Sequence, residues 1–374
     1  MKRLFSSLSL RRLGAPVILN ALGDGVYVTD VNRNILFWNQ AAERITGWGA
    51  GEVVGKSCYD NILIHVDKDG HKLCGEEYCP LHRCIVTGQA SDQPLLVYAQ
   101  HRSGSRVPVE VSVAPIRDGM GKVVGGIEIF RDLTANVEDL VRAKMIQAAA
   151  LTTEFPVDPR VAFDVRYTPS EIVGGDYYRI ERIGENLYGI LIADVMGHGV
   201  AAALYTMQLR SLWEDWRAEL VSPSRFLGQI NRSLYTLAVG EGYFATAVYG
   251  IYNVVTGRFN YVRAGHPAPL LLHADGRAIP QGDSQPALGM MESYDYPEQE
   301  IQLGAGDRLL MYTDGAIEIT DAKGEELGED GLVRLLHSQA SLSVSALEEQ
   351  ILAFSASIHL PDDLTLLCIS RPVA

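Results

Sequence analysis

The 374-residue sequence lacks any uninterrupted apolar run of the roughly 18–20 residues that a membrane-spanning helix requires. It also lacks an excess of positive charge, because 46 Asp and Glu residues outnumber 32 Lys and Arg residues, which gives a formal net charge of -14. The first absence argues against an integral membrane protein. The second argues against nucleic acid as a partner, since phosphate backbones bind basic surfaces. We therefore expect a cytoplasmic protein.

Cysteine is scarce, and four of the five cysteines lie in the first third of the chain. In the reducing cytosol such residues are thiols rather than a disulfide framework. The run CGEEYCPLHRC adds a histidine to three thiols, and its spacing fits no standard zinc ribbon. Bound zinc, an iron–sulfur cluster, a haem, redox thiols and inert buried cysteines all stay open. The candidate cofactor ligands are Cys74, Cys79, His82 and Cys84.

The length and a hydrophobic content of 47% are enough for two or three domains that each bury a core. Shifts in pattern along the chain predict four segments. They are an N-terminal segment (1–14), a first domain (15–134), a helical linker (135–155) and a second domain (156–374).

The linker is predicted to be a helix because apolar residues recur every three to four positions at Val137, Leu140, Met145 and Ala148. Phe155-Pro156 then interrupts the pattern. Two heptads are too few to establish a coiled coil. Dimerisation through this helix and packing of a single helix on its own domain are both open.

The first domain contains short strand-like runs and one strongly alternating run, RVPVEVSVAPI. Asn39 is placed to cap a short helix that ends at Gly47. Together with GVYVTD, ILFWNQAAERITGW and GGIEIFRDLT, this region resembles a PAS sensor domain. The resemblance implies an antiparallel sheet with flanking helices. The flavin motif Asn-Cys-Arg-Phe of light-sensing PAS domains is absent, which disfavours light sensing.

The second domain alternates strand-like and helical runs, and aspartates stand where hydrophobic strands begin or end. A carboxylate at the end of a buried strand is costly unless it is paired or binds a cation. Several such sites with no Cys-His pairing nearby indicate a centre for hard cations of the Mg²⁺ or Mn²⁺ type. The candidate catalytic and metal-binding carboxylates are Asp176, Asp194, Asp314 and the neighbouring pair Asp362 and Asp363.

Five segments in this half, GGDYY, ADVMGHGVAAAL, AGHPAPLLL, LLMYTDGAIE and DDLTLL, resemble the bacterial metal-dependent (PPM) protein phosphatases. These are the sporulation stage II and stress-response sigma-regulator phosphatases, and the motifs occur in the family's order. The resemblance implies an α/β sandwich of two packed sheets flanked by helices, so the whole chain is expected to be α+β. It implies Mg²⁺- or Mn²⁺-dependent hydrolysis of phosphoserine or phosphothreonine in proteins.

The resemblance also implies roles for individual residues around two divalent ions. Asp194 would bridge the ions, Asp176 would bind one of them, and Asp314 and Asp362 the other. The backbone carbonyl of Val195 would add a ligand, and Asp363 would support Asp362. Structural or supporting roles are favoured for His198 and His266. The arginine by which eukaryotic relatives bind substrate phosphate has no equivalent motif in this sequence.

The same resemblance implies a partner-switching pathway that regulates a sigma factor. Its substrate would be a phosphorylated anti-sigma-factor antagonist of the STAS type. The sensor and linker would form a homodimer that controls the phosphatase. The alternative is a non-catalytic signalling adaptor whose PAS domain senses redox state or a cofactor, and it predicts no Mn²⁺-dependent hydrolysis.

Overall fold

A computed structural model of the chain describes residues 14–60, 62–67, 70–75, 78–151, 155–197, 199–237, 242–337, 343–355 and 360–373. Its contacts divide the chain into two compact units, Met1–Asp139 and Leu140–Ala374. The predicted N-terminal segment lies outside the described residues except for Gly14, and His198 also lies outside them. No helix in the described ranges is both long and apolar enough to cross a membrane.

The first unit is a five-stranded antiparallel sheet in the order β2-β1-β5-β4-β3, with helices packed against it. This confirms the predicted sheet with flanking helices. Its elements are α1 (Ala15–Asn20), β1 (Gly25–Asp30), β2 (Ile35–Trp38), α2 (Gln40–Thr46), α3 (Ala50–Val53), α4 (Pro80–Thr87), β3 (Leu95–Gln100), β4 (Arg106–Arg117) and β5 (Val123–Asp132).

Local sequence explains the start and end of α2. The Asn39 side chain accepts a hydrogen bond from the Ala42 amide at 2.8 Å, which satisfies a free donor of the first turn. Gly47 then ends the helix in the left-handed conformation, with φ of 73°. Buried side chains from the helices and from one face of the sheet form a single core.

The second unit contains two further five-stranded sheets, ordered β13-β10-β9-β8-β7 and β12-β11-β14-β15-β6. Its elements are β6 (Ala162–Thr168), β7 (Asp176–Arg182), β8 (Leu187–Val195), α6 (Gly199–Asp215), α7 (Pro223–Leu237), β9 (Ala245–Asn253), β10 (Arg258–Ala264), β11 (Leu270–Leu272), β12 (Ala278–Pro280), β13 (Gln299–Gln302), β14 (Arg308–Tyr312), α8 (Gly328–His337), α9 (Val344–Phe354) and β15 (Leu364–Ser370).

These elements form four layers. One core lies between the two sheets and contains Ile190 and Ile192 of β8 with Met311 of β14 and Leu367 of β15. A second core joins the outer face of the first sheet to α6 and α7, and a third joins the outer face of the other sheet to α8 and α9. Strand β8 is almost continuously apolar because it is covered on both faces. The predicted sandwich of two sheets flanked by helices is confirmed.

Helix α5 (Thr134–Leu151) runs across the division between the two units. The predicted apolar stripe is buried only in part, because Val137 and Leu140 are half-buried whereas Met145 is 66% exposed. The fully buried residues are Gln147, Ala150 and Leu151, of which Leu151 continues the stripe. The glutamine turns inward because its carboxamide is fully used in hydrogen bonds, which offsets its desolvation.

Candidate metal centre

The first two candidate carboxylates face each other across neighbouring strands. Asp176 at the start of β7 lies directly opposite Asp194 near the end of β8 in the antiparallel register. Side chains of directly opposed residues project from the same face of a sheet. Asp176 is only 1% exposed, so the fold places two acidic groups together at a buried position.

The other two candidate carboxylates come from the second sheet. Asp314 begins a short 3-10 helix directly after β14, and Asp362 lies two residues before β15. Because β14 and β15 are antiparallel neighbours, the end of one strand lies beside the start of the other. Burial and then the charges of Asp314 and Asp362 raise the pKa of Asp194 to about 8. Asp314 and Asp362 therefore lie close enough to Asp194 for their charges to interact with it.

Two threonines fix the orientation of Asp176. The hydroxyls of Thr313 and Thr365 donate to its Oδ2 atom at 2.8 and 2.5 Å. Thr313 precedes Asp314 and Thr365 belongs to β15, so the second sheet holds a carboxylate of the first. The Oδ1 atom of Asp176 is buried and has no hydrogen-bond partner among the described residues. The same holds for the Oδ1 atom of Asp314. Each aspartate therefore keeps an oxygen for another ligand.

The electrostatics of this cluster favour either protonation of a carboxylate or a bound cation. Burial and the charge of Asp194 raise the pKa of Asp176, and burial followed by Glu318 raises that of Asp314. Glu318 also raises the pKa of Asp194, yet sequence reasoning assigned it no role although it belongs to the quoted motif LLMYTDGAIE. Carboxylates that disfavour one another's charge in this way are stabilised by a divalent ion.

The donor set fits hard cations such as Mg²⁺ or Mn²⁺, because every candidate ligand is an oxygen and two carboxylate oxygens lack partners. Among the described residues, no three His, Cys, Asp or Glu side chains already converge as they would around an ion. Binding is therefore expected to draw the carboxylates together. The carbonyl of Val195 lies at the same edge, 2.8 Å from where a Cβ atom on Gly175 would stand. Only glycine allows this approach.

Asp363 has a different environment from Asp362. It is 1% exposed, and its carboxylate accepts hydrogen bonds from the Ser170 amide at 2.7 Å, the Ser170 hydroxyl at 3.0 Å and the Gly175 amide at 2.5 Å. A Cβ atom on Gly174 would clash with the Asp363 carboxylate and the Tyr167 hydroxyl. Asp363 thus holds the Gly174-Gly175 turn, whereas Asp362 is half-buried at the edge of the cluster.

We expect these neighbouring aspartates to respond differently to the same substitution. Asp363→Asn should lower the free energy of unfolding, because the amide leaves at least one buried donor unsatisfied, at a cost of about 1–3 kcal/mol. Asp362→Asn should leave stability nearly unchanged and weaken Mn²⁺ binding. Chemical denaturation and metal titration of both variants test this. Equal losses of stability would contradict the separate roles.

His266 is buried, and its Nδ1 atom lies 2.8 Å from the hydroxyl of Thr246. Thr246 is the residue opposite Asp194 in the β8–β9 register. Burial, and then Arg263, lower the pKa of His266 to about 3, so the ring is neutral near pH 7. His266 thus contacts the residue that pairs with Asp194, and its structural or supporting role stays a prediction.

Gln147 of α5 reaches the turn that precedes Asp176. Its carboxamide nitrogen donates to the Gly174 carbonyl at 2.6 Å and to the Thr206 hydroxyl at 3.1 Å, and its oxygen accepts from the Gly174 amide at 3.2 Å. Sequence reasoning missed this residue. The only signal was a polar residue beside an apolar pattern, which is also typical of solvent exposure.

The candidate cofactor ligands of the first unit are not all brought together. Cys79 precedes α4 and Cys84 lies on it, both buried, while His82 and Cys74 are half-buried. All five cysteines are free thiols. The pKa of the Cys58 thiol is raised by burial and, among other groups, by Cys79 and Cys74, whereas the only neighbouring charge that affects the pKa of Cys84 among the described residues is that of Arg117. The structure thus associates Cys58, rather than Cys84, with Cys74 and Cys79.

The family follows from comparison with known proteins. A family model described as stage II sporulation protein E matches residues 184–372, just over half of the chain. The chain belongs to the stage II sporulation protein E family. A PAS-domain model matches residues 23–135, which confirms the resemblance of the first unit.

Two curated relatives of this chain come from Bacillus subtilis (strain 168). Phosphoserine phosphatase RsbP is 33% identical over 185 residues, which cover 49% of this chain and 46% of RsbP. Phosphoserine phosphatase RsbU is 25% identical over 308 residues, which cover 81% of this chain and 88% of RsbU. The chain therefore spans less than half the length of RsbP but most of RsbU.

Two solved structures are similar in fold to this chain. The RsbU and RsbW domains of a Mycobacterium tuberculosis protein match with a TM-score of 0.51 and 27% identity, covering 60% of this chain and 63% of that chain. The SiaA-PP2C domain of Pseudomonas aeruginosa matches with a TM-score of 0.54 and 19% identity, covering 63% of this chain and 96% of that chain. The second likeness concerns the fold alone.

Proposed function

We propose that the protein is a Mg²⁺- or Mn²⁺-dependent protein serine/threonine phosphatase. The observation that carries the proposal is that Asp176 lies opposite Asp194 and that the charges of Asp314 and Asp362 act on Asp194. The Oδ1 atoms of Asp176 and Asp314 have no hydrogen-bond partner among the described residues. Two divalent ions, when bound, supply a hydroxide nucleophile near neutral pH and neutralise the charge that develops on the phosphoryl oxygens.

The residues of the chain would hold and orient this centre. Asp194 is central to the cluster and is proposed to bridge the ions, with Asp176 binding one ion and Asp314 and Asp362 the other. The Val195 carbonyl is proposed as a further ligand. Thr313 and Thr365 donate to the Oδ2 atom of Asp176, which leaves its buried Oδ1 atom without a hydrogen-bond partner among the described residues. This fixed orientation lowers the reorganisation that catalysis requires.

The proposed substrate is a phosphoserine or phosphothreonine on a regulatory protein, specifically a STAS-type antagonist of an anti-sigma factor in the cytoplasm. Support comes from RsbP and RsbU, which are both named phosphoserine phosphatases. Further support comes from the M. tuberculosis protein, in which an RsbU domain occurs together with an RsbW domain. The pathway would then control a sigma factor by partner switching.

The direct test is hydrolysis of para-nitrophenyl phosphate by the full chain with Mn²⁺, with Mg²⁺ and with chelator. We expect turnover only with a divalent ion. A phosphoserine-bearing STAS-domain protein, compared with its phosphothreonine form, then tests the substrate class. Absence of metal-dependent turnover on both kinds of substrate would favour the adaptor alternative.

We also propose that the chain forms a homodimer through the sensor and the linker, and that the linker conveys the state of the sensor. Helix α5 follows β5 directly and carries Gln147, which binds the turn before Asp176. Its other face exposes Met145 and Ile146, each 66% exposed, which are apolar side chains available to a second copy.

Placing charge on this face is expected to weaken self-association. The double substitution Met145→Asp and Ile146→Asp should shift the chain from dimer to monomer, because two carboxylates per helix would have to be desolvated in the interface. Light scattering after size-exclusion chromatography measures the change. Met120→Asp, at a 95% exposed position in a sensor turn, is the control. A dimer that survives the double substitution would contradict assembly through α5.

A further inference from the structure

A carboxyl group lies in the middle of the inner face of the sensor sheet. Glu128 belongs to the central strand β5, lies opposite Tyr27 of β1 and is 1% exposed. Burial raises the pKa of Glu128 to about 8. Its Oε1 atom has no hydrogen-bond partner among the described residues. A buried polar atom without a partner costs about 1–3 kcal/mol, so this oxygen is placed to accept a further hydrogen bond beside the one that Tyr27 makes to the same carboxyl group.

A histidine faces this carboxyl group. The Nε2 atom of His65 lies 3.8 Å from the Oε1 atom of Glu128, and it too is buried without a hydrogen-bond partner in the described ranges. Burial lowers the pKa of His65 to about 4, so the ring is neutral and the two groups are not an ion pair. The preceding residue, Ile64, has φ of 33°, a conformation that is strained for a β-branched side chain. Strain of this kind concentrates at functional sites.

Three thiols surround the pair. The sulfur of Cys74 accepts a hydrogen bond from the His65 amide at 3.1 Å. Cys58 and Cys79 are buried in the same core as Tyr27. After burial, the charges of Glu128, Cys79 and Cys74 are the causes that raise the pKa of Cys58, so the three sulfurs and the carboxyl group lie within electrostatic reach of one another.

We propose that Cys58, Cys74, Cys79 and the Nδ1 atom of His65 bind one divalent ion of the Zn²⁺ type, with Glu128 accepting a hydrogen bond from the Nε2 atom of His65. Three thiolates and one imidazole are an established donor set for tetrahedral zinc. A carboxylate beside the ligating histidine fixes its tautomer, and an amide hydrogen bond to a ligating sulfur supports the thiolate.

This arrangement accounts for features that inert thiols do not explain. Cysteines that only fill space need neither a buried imidazole nor a buried carboxyl group with unpartnered atoms beside them. An ion bound to His65 would fix the tautomer of its ring, and the ring N–H would then donate a hydrogen bond to Glu128. No three of these side chains yet converge on one point in the described ranges. Binding is therefore expected to draw these side chains together and to stabilise the sensor.

The test is titration of the full-length, metal-stripped and reduced chain with Co²⁺, a spectroscopic substitute for Zn²⁺. We expect a thiolate-to-cobalt charge-transfer band in the near ultraviolet that saturates at one ion per chain and is bleached by Zn²⁺. The oxygen ligands of the candidate phosphatase centre cannot produce this band. Zn²⁺ should also raise the melting temperature of the chain.

The variants distinguish the proposed ligands from their neighbours. Cys58→Ser and Cys79→Ser should abolish the band, and Cys74→Ser, at a half-buried position, should do so with the least disturbance of the core. Glu128→Gln should retain the band but weaken Zn²⁺ binding about 10–100-fold. Cys84→Ser, in the same core, should change neither. Absence of a sulfur band in the wild type, or a band that depends on Cys84 rather than Cys74, would overturn the proposal.

Discussion

Replacement of Asp194 with asparagine is expected to abolish metal-dependent phosphomonoester hydrolysis. Asp194 faces Asp176 across β7 and β8, and its charge interacts with those of Asp314 and Asp362. Its loss should therefore weaken both proposed ion sites. Loss of a partner outside the ligand shell typically costs 10–100-fold, so we expect a fall of more than about 100-fold for a shared ligand. Steady-state hydrolysis of para-nitrophenyl phosphate at saturating Mn²⁺ measures the change.

Metal binding provides a readout independent of turnover. In the wild type, Mn²⁺ at about 100 times its dissociation constant should stabilise the fold by about 2.7 kcal/mol, and the variant should lose most of this gain. The metal-free variant should be at least as stable as the wild type, because other acidic side chains disfavour the charge of Asp194. Asp215→Asn, at an exposed position on α6, is the control. A variant that keeps both the activity and the Mn²⁺-induced stabilisation would show that Asp194 is not a ligand.

The second large effect is expected from Gln147→Leu. Leucine fills a similar volume but leaves the amide and the carbonyl of Gly174 without their partner. Each unsatisfied group should lower the free energy of unfolding by about 1–3 kcal/mol. Because Gly174 lies two residues before Asp176, the turn that positions this carboxylate should relax. We expect the Mn²⁺ concentration for half-maximal activity to rise about 10–100-fold.

The dependence on Mn²⁺ separates positioning from a general loss of stability. Gln147→Glu keeps an acceptor for the Gly174 amide but loses the donors to the Gly174 carbonyl and Thr206, so its metal dependence should lie between those of wild type and Gln147→Leu. Gln89→Leu, at an exposed position of the sensor, should match the wild type. A lower melting temperature with an unchanged Mn²⁺ dependence would show that Gln147 only supports the fold.

The sequence predicted the elements whose pattern is local. Two strand-like runs in the second domain predict strands over 245–253 and 364–370, and strands β9 (Ala245–Asn253) and β15 (Leu364–Ser370) have these bounds. Their apolar character follows from burial on both faces. Strand β7 was not recognised because it lies at the edge of its sheet and carries charged residues in its second half. Helix α4 was not predicted because its residues lie within the cysteine-rich run, although Pro80 in its first turn is typical of a helix start.

The partners of the candidate site are set by the tertiary fold, which the sequence pattern does not contain. Motif resemblance singled out the four aspartates, but it did not indicate that Thr313 and Thr365 bind Asp176, since these residues are 137 and 189 positions away. The sequence also did not indicate that Glu128 lies beside His65, because a single acidic residue in an alternating strand normally faces solvent. Such contacts depend on which sheets and loops pack together.

The contact between α5 and the Gly174 turn is made by a carboxamide, a group that carries no charge and does not titrate. Interactions between exposed ions weaken as salt is added, whereas a buried neutral hydrogen bond is nearly insensitive to ionic strength. A displacement of helix α5 would therefore act on the turn with nearly the same strength at low and at high ionic strength. A rise in salt concentration would leave this contact intact while it weakened the salt bridges at the surface.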